Sequence, residues 1–389
     1  MSHKADASFF DQKRPWSTRK DRILGSYLKA YLPKIATQKH PVLLVDGFAG
    51  PGKFDDGEPG SPLIICHAVR SAKQHGVSVP VRFMCIESDP DLFRTLESLM
   101  AQFDFADAKQ GRFSDHTHEI ERFARDHSTF LYIDPWTVEG LVWTELDLIF
   151  HHLQDSRMSV EVLLNWNSAS FVRRGLGAMS RQVPEPDPES EDLEEVDARI
   201  LAPPSLERLD EVIGTTDWRK ILSADMAFCE MVASIADLFA DKLRSRFAEV
   251  CSHAMIALPT HTIPKYYLLF ASRHPHALRL MNDEMVKSRR TLAEMAKPRE
   301  PTLFETRSVS LVPDIAPLSQ SVKDLASRRQ SRGDLIVSVI RSAFGKFSSS
   351  EIRGVIETLL KAGELQSATG RSRINDQVEV WKTPERTAD

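Results

Sequence analysis

Three carboxylates stand where apolar runs stop, and they are the residues of this chain best placed to do chemistry: Asp46, Glu87 and Asp134. Asp46 follows Val42-Leu43-Leu44-Val45 and opens the segment Asp46-Gly47-Phe48-Ala49-Gly50-Pro51-Gly52. Apolar residues without alternation suit a strand buried on both faces of a parallel sheet. Glycine permits positive φ and lets the backbone approach a ligand closely. A strand running into such a loop builds a cofactor crevice at the carboxyl edge of an open α/β sheet. The spacing is not G-x-G-x-x-G, and a tight turn after a core strand is the plain alternative. Glu87 ends the run Val81 to Glu87, and an acid there can accept both ribose hydroxyls of a nucleoside cofactor. The third acid follows Phe130-Leu131-Tyr132-Ile133 and precedes Pro135-Trp136; proline donates no ladder hydrogen bond, so the strand stops there. An acid at that edge, beside the glycine loop, is placed for chemistry. The structural alternative makes Asp134 a turn cap and Trp136 a core side chain.

Other segments must position these residues. Ser17 to Lys34 predicts a helix, with Ile23, Leu24, Tyr27, Leu28, Tyr31 and Leu32 at helical spacing, a Thr18/Asp21 cap and Pro33 as its end. Lys13, Arg14, Trp16 and Lys20 around its start could meet ligand or solvent. Gly60-Ser61-Pro62 reads as the start of a second helix. A third strand ends near Asp107 to Gly111, where Asp107 or Gln110 could face an adenine ring. Val160 to Asn167 predicts a fifth strand with Asn165 and Asn167 at its polar end; Phe171, Arg173 and Arg174 follow. Leu206 to Arg246 reads as mostly helical. Two more strands, His253 to Leu258 and Tyr266 to Ser272, flank a loop holding His261, which has no visible partner.

At 389 residues, with 42% hydrophobic and 27% charged side chains, the chain suits a globular protein of more than one domain. No apolar run approaches the ~20 residues needed to cross a bilayer, and the amino terminus lacks a signal-peptide core. Cys66, Cys85, Cys229 and Cys251 are widely spaced, which fits reduced thiols and a cytoplasmic location and predicts no metal site. The formal net charge of −5 excludes a uniformly basic coat. Pro184 to Asp197 holds eight acids in fourteen residues and reads as a solvated insertion, with a nucleic-acid mimic as the minor alternative. Residues 319–382 carry eleven Lys and Arg against seven acids. Lys297 to Gln320 predicts a linker. Beyond it, helices over Leu335 to Phe344 and from the Ser348/Glu351 capping box to Gly363, then a hairpin over Leu365 to Trp381, resemble a winged helix that binds DNA or protein.

The glycine segment resembles the first motif of S-adenosylmethionine (SAM) methyltransferases, and Asp134-Pro135-Trp136 resembles, with one proline missing, the D-P-P-[YFW] segment of amino methyltransferases. In that segment the acid accepts from the target NH₂ and the aromatic ring stacks on a flipped base. Together with Lys20, Tyr27-Leu28, Gly60-Ser61-Pro62-Leu63, Leu164-Asn165-Trp166, Gly214-Thr215-Thr216-Asp217-Trp218 and Tyr266 to Ser272, these segments resemble the bacterial three-Cys-motif partner protein family over roughly residues 10 to 290. The resemblance implies an α/β, Rossmann-like class I methyltransferase fold: a mostly parallel seven-stranded sheet with helices on both faces. Domains are expected at 1–296 (with a helical insertion at about 176–247) and 321–389, joined by a linker over 297–320. The implied cofactor is S-adenosyl-L-methionine, held by Asp46, Gly47, Phe48, Gly50, Gly52, Glu87 and Gln110. Asp134, Pro135 and Trp136 are the implied catalytic set, and Asn165 and Arg173 the substrate contacts. The implied substrate is DNA or RNA, modified at an exocyclic amino group, and the implied partner a three-cysteine protein. The alternative is a non-catalytic SAM- or nucleic-acid-binding partner of that protein.

Overall fold

The computed structural model describes residues 15–153, 158–183, 204–256, 263–295 and 314–384. Lys13, Arg14, the side chain of Trp16, the acidic run Pro184 to Asp197, His261 and residues 297–313 of the expected linker lie outside them. The chain divides into two compact units, Met1–His274 and Pro275–Asp389.

The first unit is built on a seven-stranded sheet. Its parallel members are β1 (Val42–Asp46), β2 (Val81–Glu87), β3 (Ala106–Gln110), β4 (Ser128–Ile133) and β5 (Val160–Trp166). Next come β6 (Glu249–Met255) and β7 (Tyr266–Ser272), and the spatial order is β3-β2-β1-β4-β5-β7-β6. β7 runs antiparallel to both of its neighbours. β6 lies a few residues earlier than the apolar pattern predicts.

Side chains alternate across the sheet and seat helices on each face. On one face, Phe130 of β4 and Phe270 of β7 pack on Tyr27 of α1 (Pro15–Ala36), and α1 packs on α2 (Ser61–Gln74). On the other, Leu43, Val45, Leu131, Ile133, Val162 and Leu164 join a core. It includes residues of α4 (Thr117–Ala124), α5 (Trp143–Leu153), α6 (Ser168–Ala178), α7 (Leu206–Ile213), α8 (Trp218–Ser223) and α9 (Phe228–Arg244). α3 (Pro90–Met100) links β2 to β3, its start capped by the Asp89 carboxylate. Pro33 does not end α1, which continues to Ala36. A proline this near the carboxyl end removes one backbone bond and is cheap. Thr18 and Asp21 fall inside the helix rather than at its cap.

In the second unit, α10 (Pro275–Met295), α11 (Ala316–Leu325), α12 (Arg332–Ser342) and α13 (Ser349–Lys361) pack together. They are accompanied by a three-stranded sheet in the order β8 (Gln330–Ser331), β10 (Glu379–Lys382), β9 (Leu365–Ser367). The boundary at His274 gives α10 to this unit, whereas the sequence reading ends the first domain at 296. Buried Asn282 is the reason: its amide donates to Phe347 O (2.9 Å) and accepts from Gly345 N (2.8 Å). The expected linker is also shorter, since Ala316 to Gln320 begin α11.

Candidate functional site

β2, β1 and β4 are neighbours, so the three acid-tipped strand ends stand side by side. A cavity of about 890 Å³ opens over their carboxyl ends and those of β3 and β5. Phe48, the loop to Gly52, Glu87 and Asp134 to Trp136 all border it.

The glycine loop is shaped by its neighbours. Gly47 N donates to Tyr132 O of β4 (3.0 Å), and Ala49 N to Ile86 O of β2 (2.9 Å). A Cβ at Gly47 would meet Phe113 at 2.9 Å and Ile133 at 3.1 Å. Gly50 and Gly52 adopt φ of 59° and 80°, where other residues are strained. The Gly52 carbonyl accepts from Gly60 N (3.0 Å), which ties the loop to the start of α2. Glu87 completes the cradle: Oε2 accepts from Gly50 N (2.8 Å) and Oε1 from Asp89 N (2.7 Å). Burial raises its carboxyl above the ordinary range, while these amide donors pull the other way.

Asp46 is fully buried and does not border the cavity. Its Oδ1 accepts from Phe48 N (3.3 Å), and its Oδ2 has no hydrogen-bond partner among the described residues. Burial pushes the carboxyl up to about 7; the Ser61 hydroxyl and Phe48 amide oppose that rise, and the charges of Asp134 and Asp21 add to it. Its sequence-expected role as a direct cofactor contact therefore becomes one of lying beneath the loop.

Asp134 lies at the centre of a polar cluster. Oδ1 accepts from Asn165 Nδ2 (2.7 Å) and Oδ2 from the Tyr132 hydroxyl (3.2 Å). The Lys20 ammonium, on α1, forms an ion pair with Oδ2, and the two side chains are 10% and 20% exposed. Three donors thus occupy a carboxylate that the resemblance to amino methyltransferases assigns to receiving a substrate amine. Lys20 and Asn165 border the cavity with Tyr266. The helix containing Lys20 was legible in the sequence, but its pairing with a residue 114 positions away was not.

Two assigned residues fall elsewhere. Gln110 is exposed at the end of β3 and does not border the cavity; Gly111 to Asp115 do so instead. Arg173 is turned to the other side of α6, its guanidinium 5.0 Å over the Phe228 ring. Arg174 takes its place at the cavity wall, paired with Glu139. Consecutive helical residues point about 100° apart, so only the fold decides which arginine faces the site. Asp107 is held by Lys109 (3.1 Å) and does not border the cavity either. Phe113, stacked on Phe48 at 6.0 Å, was not anticipated.

A cavity of this size is within the range that holds a nucleoside-sized ligand. Among the described residues its wall carries seven Asp and Glu against five Lys and Arg, a balance suited to a cationic cofactor. Parallel strands in the order β3-β2-β1-β4-β5, closed by an antiparallel β7 and then β6, make the class I methyltransferase fold.

No protein-family model matches the chain, and no curated protein matches it in sequence. Solved structures similar to it include the citrinin polyketide synthase CMeT domain, at 12% identity and a TM-score of 0.29. That likeness covers 59% of this chain and 46% of that one, so the chain spans about half the length of that structure. The plantazolicin methyltransferase BamL, solved with a desmethyl analogue and SAH, is similar at 10% identity and a TM-score of 0.30, over 68% of this chain and 88% of that one. PKMT2 from Rickettsia typhi is similar at 10% identity and a TM-score of 0.30, over 92% and 76%. Strand order and direction, not these likenesses, define the fold.

Proposed function

We propose that the protein is a SAM-dependent methyltransferase acting on nucleic acid. What supports this above all is the convergence of the glycine loop, Glu87 and the Asp134 cluster on one cavity. SAM fits what the residues offer: a close-approach loop, an acid for ribose hydroxyls and a wall rich in carboxylates for a cation. When bound, it supplies an electrophilic methyl group. The protein then binds, orients and shields the two reactants. Trp136, at the cavity wall, is the platform for a base.

Nucleic acid as substrate draws support from the second unit. Arg371 and Arg373 stand exposed between β9 and β10, in a region with more basic than acidic residues. The order helix, strand, two helices and hairpin suits a winged helix. Its second helix contributes little: Arg353 is near Asp376 (3.9 Å) and Glu357 near Arg332 (3.4 Å). The hairpin is therefore the proposed contact. The resemblance to three-Cys-motif partners adds a three-cysteine protein as the proposed companion.

Calorimetry with SAM and SAH, followed by transfer of labelled methyl groups to total RNA and to DNA, tests the proposal. Binding with transfer to either polymer is expected. Absence of SAM binding overturns the enzyme reading. Tight binding without transfer, even with the three-cysteine protein present, leaves the non-catalytic partner.

A further inference from the structure

We propose that the acceptor atom is an oxygen, the 2′-hydroxyl of RNA, and not an amino nitrogen. This rests on the methyltransferase reading above and concerns the cluster of Lys20, Tyr132, Asp134 and Asn165.

An amine that attacks a methyl group uses its only lone pair and gains positive charge. It needs acceptors for its N–H groups and no cation beside it. The cluster offers the opposite. The carboxylate of Asp134 is already met by Lys20, Tyr132 and Asn165, and the ammonium of Lys20 is held at the cavity wall with its side chain 10% exposed. A hydroxyl matches this arrangement. Its proton can pass to the Lys20 nitrogen while a lone pair of its oxygen attacks, and charge growing on oxygen as the proton leaves is negative.

Asn165 holds the carboxylate in this arrangement, its Nδ2 donating to Asp134 Oδ1 at 2.7 Å. Of the two nucleic acids, RNA alone carries such a hydroxyl at every residue, and that group both donates and accepts.

The step balances within this cluster. The hydroxyl oxygen forms a bond to the methyl carbon as the carbon–sulfur bond breaks, and the electron pair stays on sulfur as a neutral thioether. Lys20 first gives a proton to Asp134, the neutral amine so formed takes the hydroxyl proton as the oxygen attacks, and Asp134 later returns its proton to water. The Lys20–Asp134 ion pair is the path.

The experiment uses the full chain, labelled SAM, and total RNA and DNA as probes. Label is expected in RNA only, in dinucleotides that survive alkali because a methylated 2′-oxygen cannot cleave the chain. Lys20→Arg keeps the charge but cannot relay a proton. It is expected to lower kcat by about 10²- to 10⁴-fold, with KM for RNA and SAH affinity by calorimetry held within about threefold. Asn165→Ala is expected to lower kcat by about tenfold. Label on a base nitrogen, equal label in DNA, unlabelled RNA from a chain that binds SAH, or full activity in Lys20→Arg would each overturn the hydroxyl assignment. Failure to bind SAM or SAH overturns the methyltransferase reading itself.

Discussion

Asp46 sets a measurable pH dependence on the first unit. Its carboxyl moves from an ordinary 3.8 to about 7 because burial disfavours the charge by more than the Ser61 hydroxyl and the Phe48 amide favour it. The native state therefore holds this proton more tightly than the unfolded chain. The stability it contributes is fully present below about pH 4 and is lost as pH rises through about 7. The whole shift is equivalent to ~4 kcal/mol, an upper figure for the loss between pH 4 and pH 8. Asp46→Asn keeps the shape and an oxygen for the Phe48 amide but cannot ionise. Its amide brings two buried donors that cost ~1–3 kcal/mol at every pH. The variant should thus be less stable than wild type at pH 4.5 and recover or overtake it by pH 8. Urea unfolding at steps from pH 4.5 to 8.5 reads this through tryptophan fluorescence, since five of the six tryptophans belong to the first unit. Stability curves that run parallel for the two proteins across that range would refute the reasoning.

Three further outcomes are expected. Glu87→Gln replaces a charged acceptor of the Gly50 and Asp89 amides with a neutral one, and should weaken SAM binding in calorimetry at least about tenfold, one charge-assisted bond being worth ~1.5–3 kcal/mol. Tyr27→Phe removes the hydroxyl that meets buried Glu161, whose carboxyl burial already lifts to about 7. Its destabilisation should be larger at pH 8.5 than at pH 5, because only the charged form needs the donor, and equal losses at both would contradict this. Asn282→Ala strips the partners from Gly345 N and Phe347 O inside the second unit. It should cost ~2–4 kcal/mol, read as an earlier melting transition of Trp381.

Local order alone was enough for much of the scaffold. Val42 to Val45 and Phe130 to Ile133 read as strands because burial on both faces demands unbroken apolar runs, and both formed as such. Glu87 and Asp134 were found at strand ends because a polar residue cannot continue such a run, and both border the cavity. Pattern was weaker where neighbours decide. Nothing in the chain order distinguishes Arg173 from Arg174, or separates Gln110 from Gly111 as a wall residue, because rotation about a helix and the lateral position of an edge strand are set by packing. Nor does a lone lysine on a predicted helix announce its carboxylate. Lys20, Asp134 and Asn165 come from three separate elements, and they meet only because α1 lies across β4 and β5. Chain order thus determined which segments become strands and where they end, since burial and hydrogen bonding act within a few residues. Tertiary structure alone decided which charges face one another, because that depends on distances the folded sheet creates.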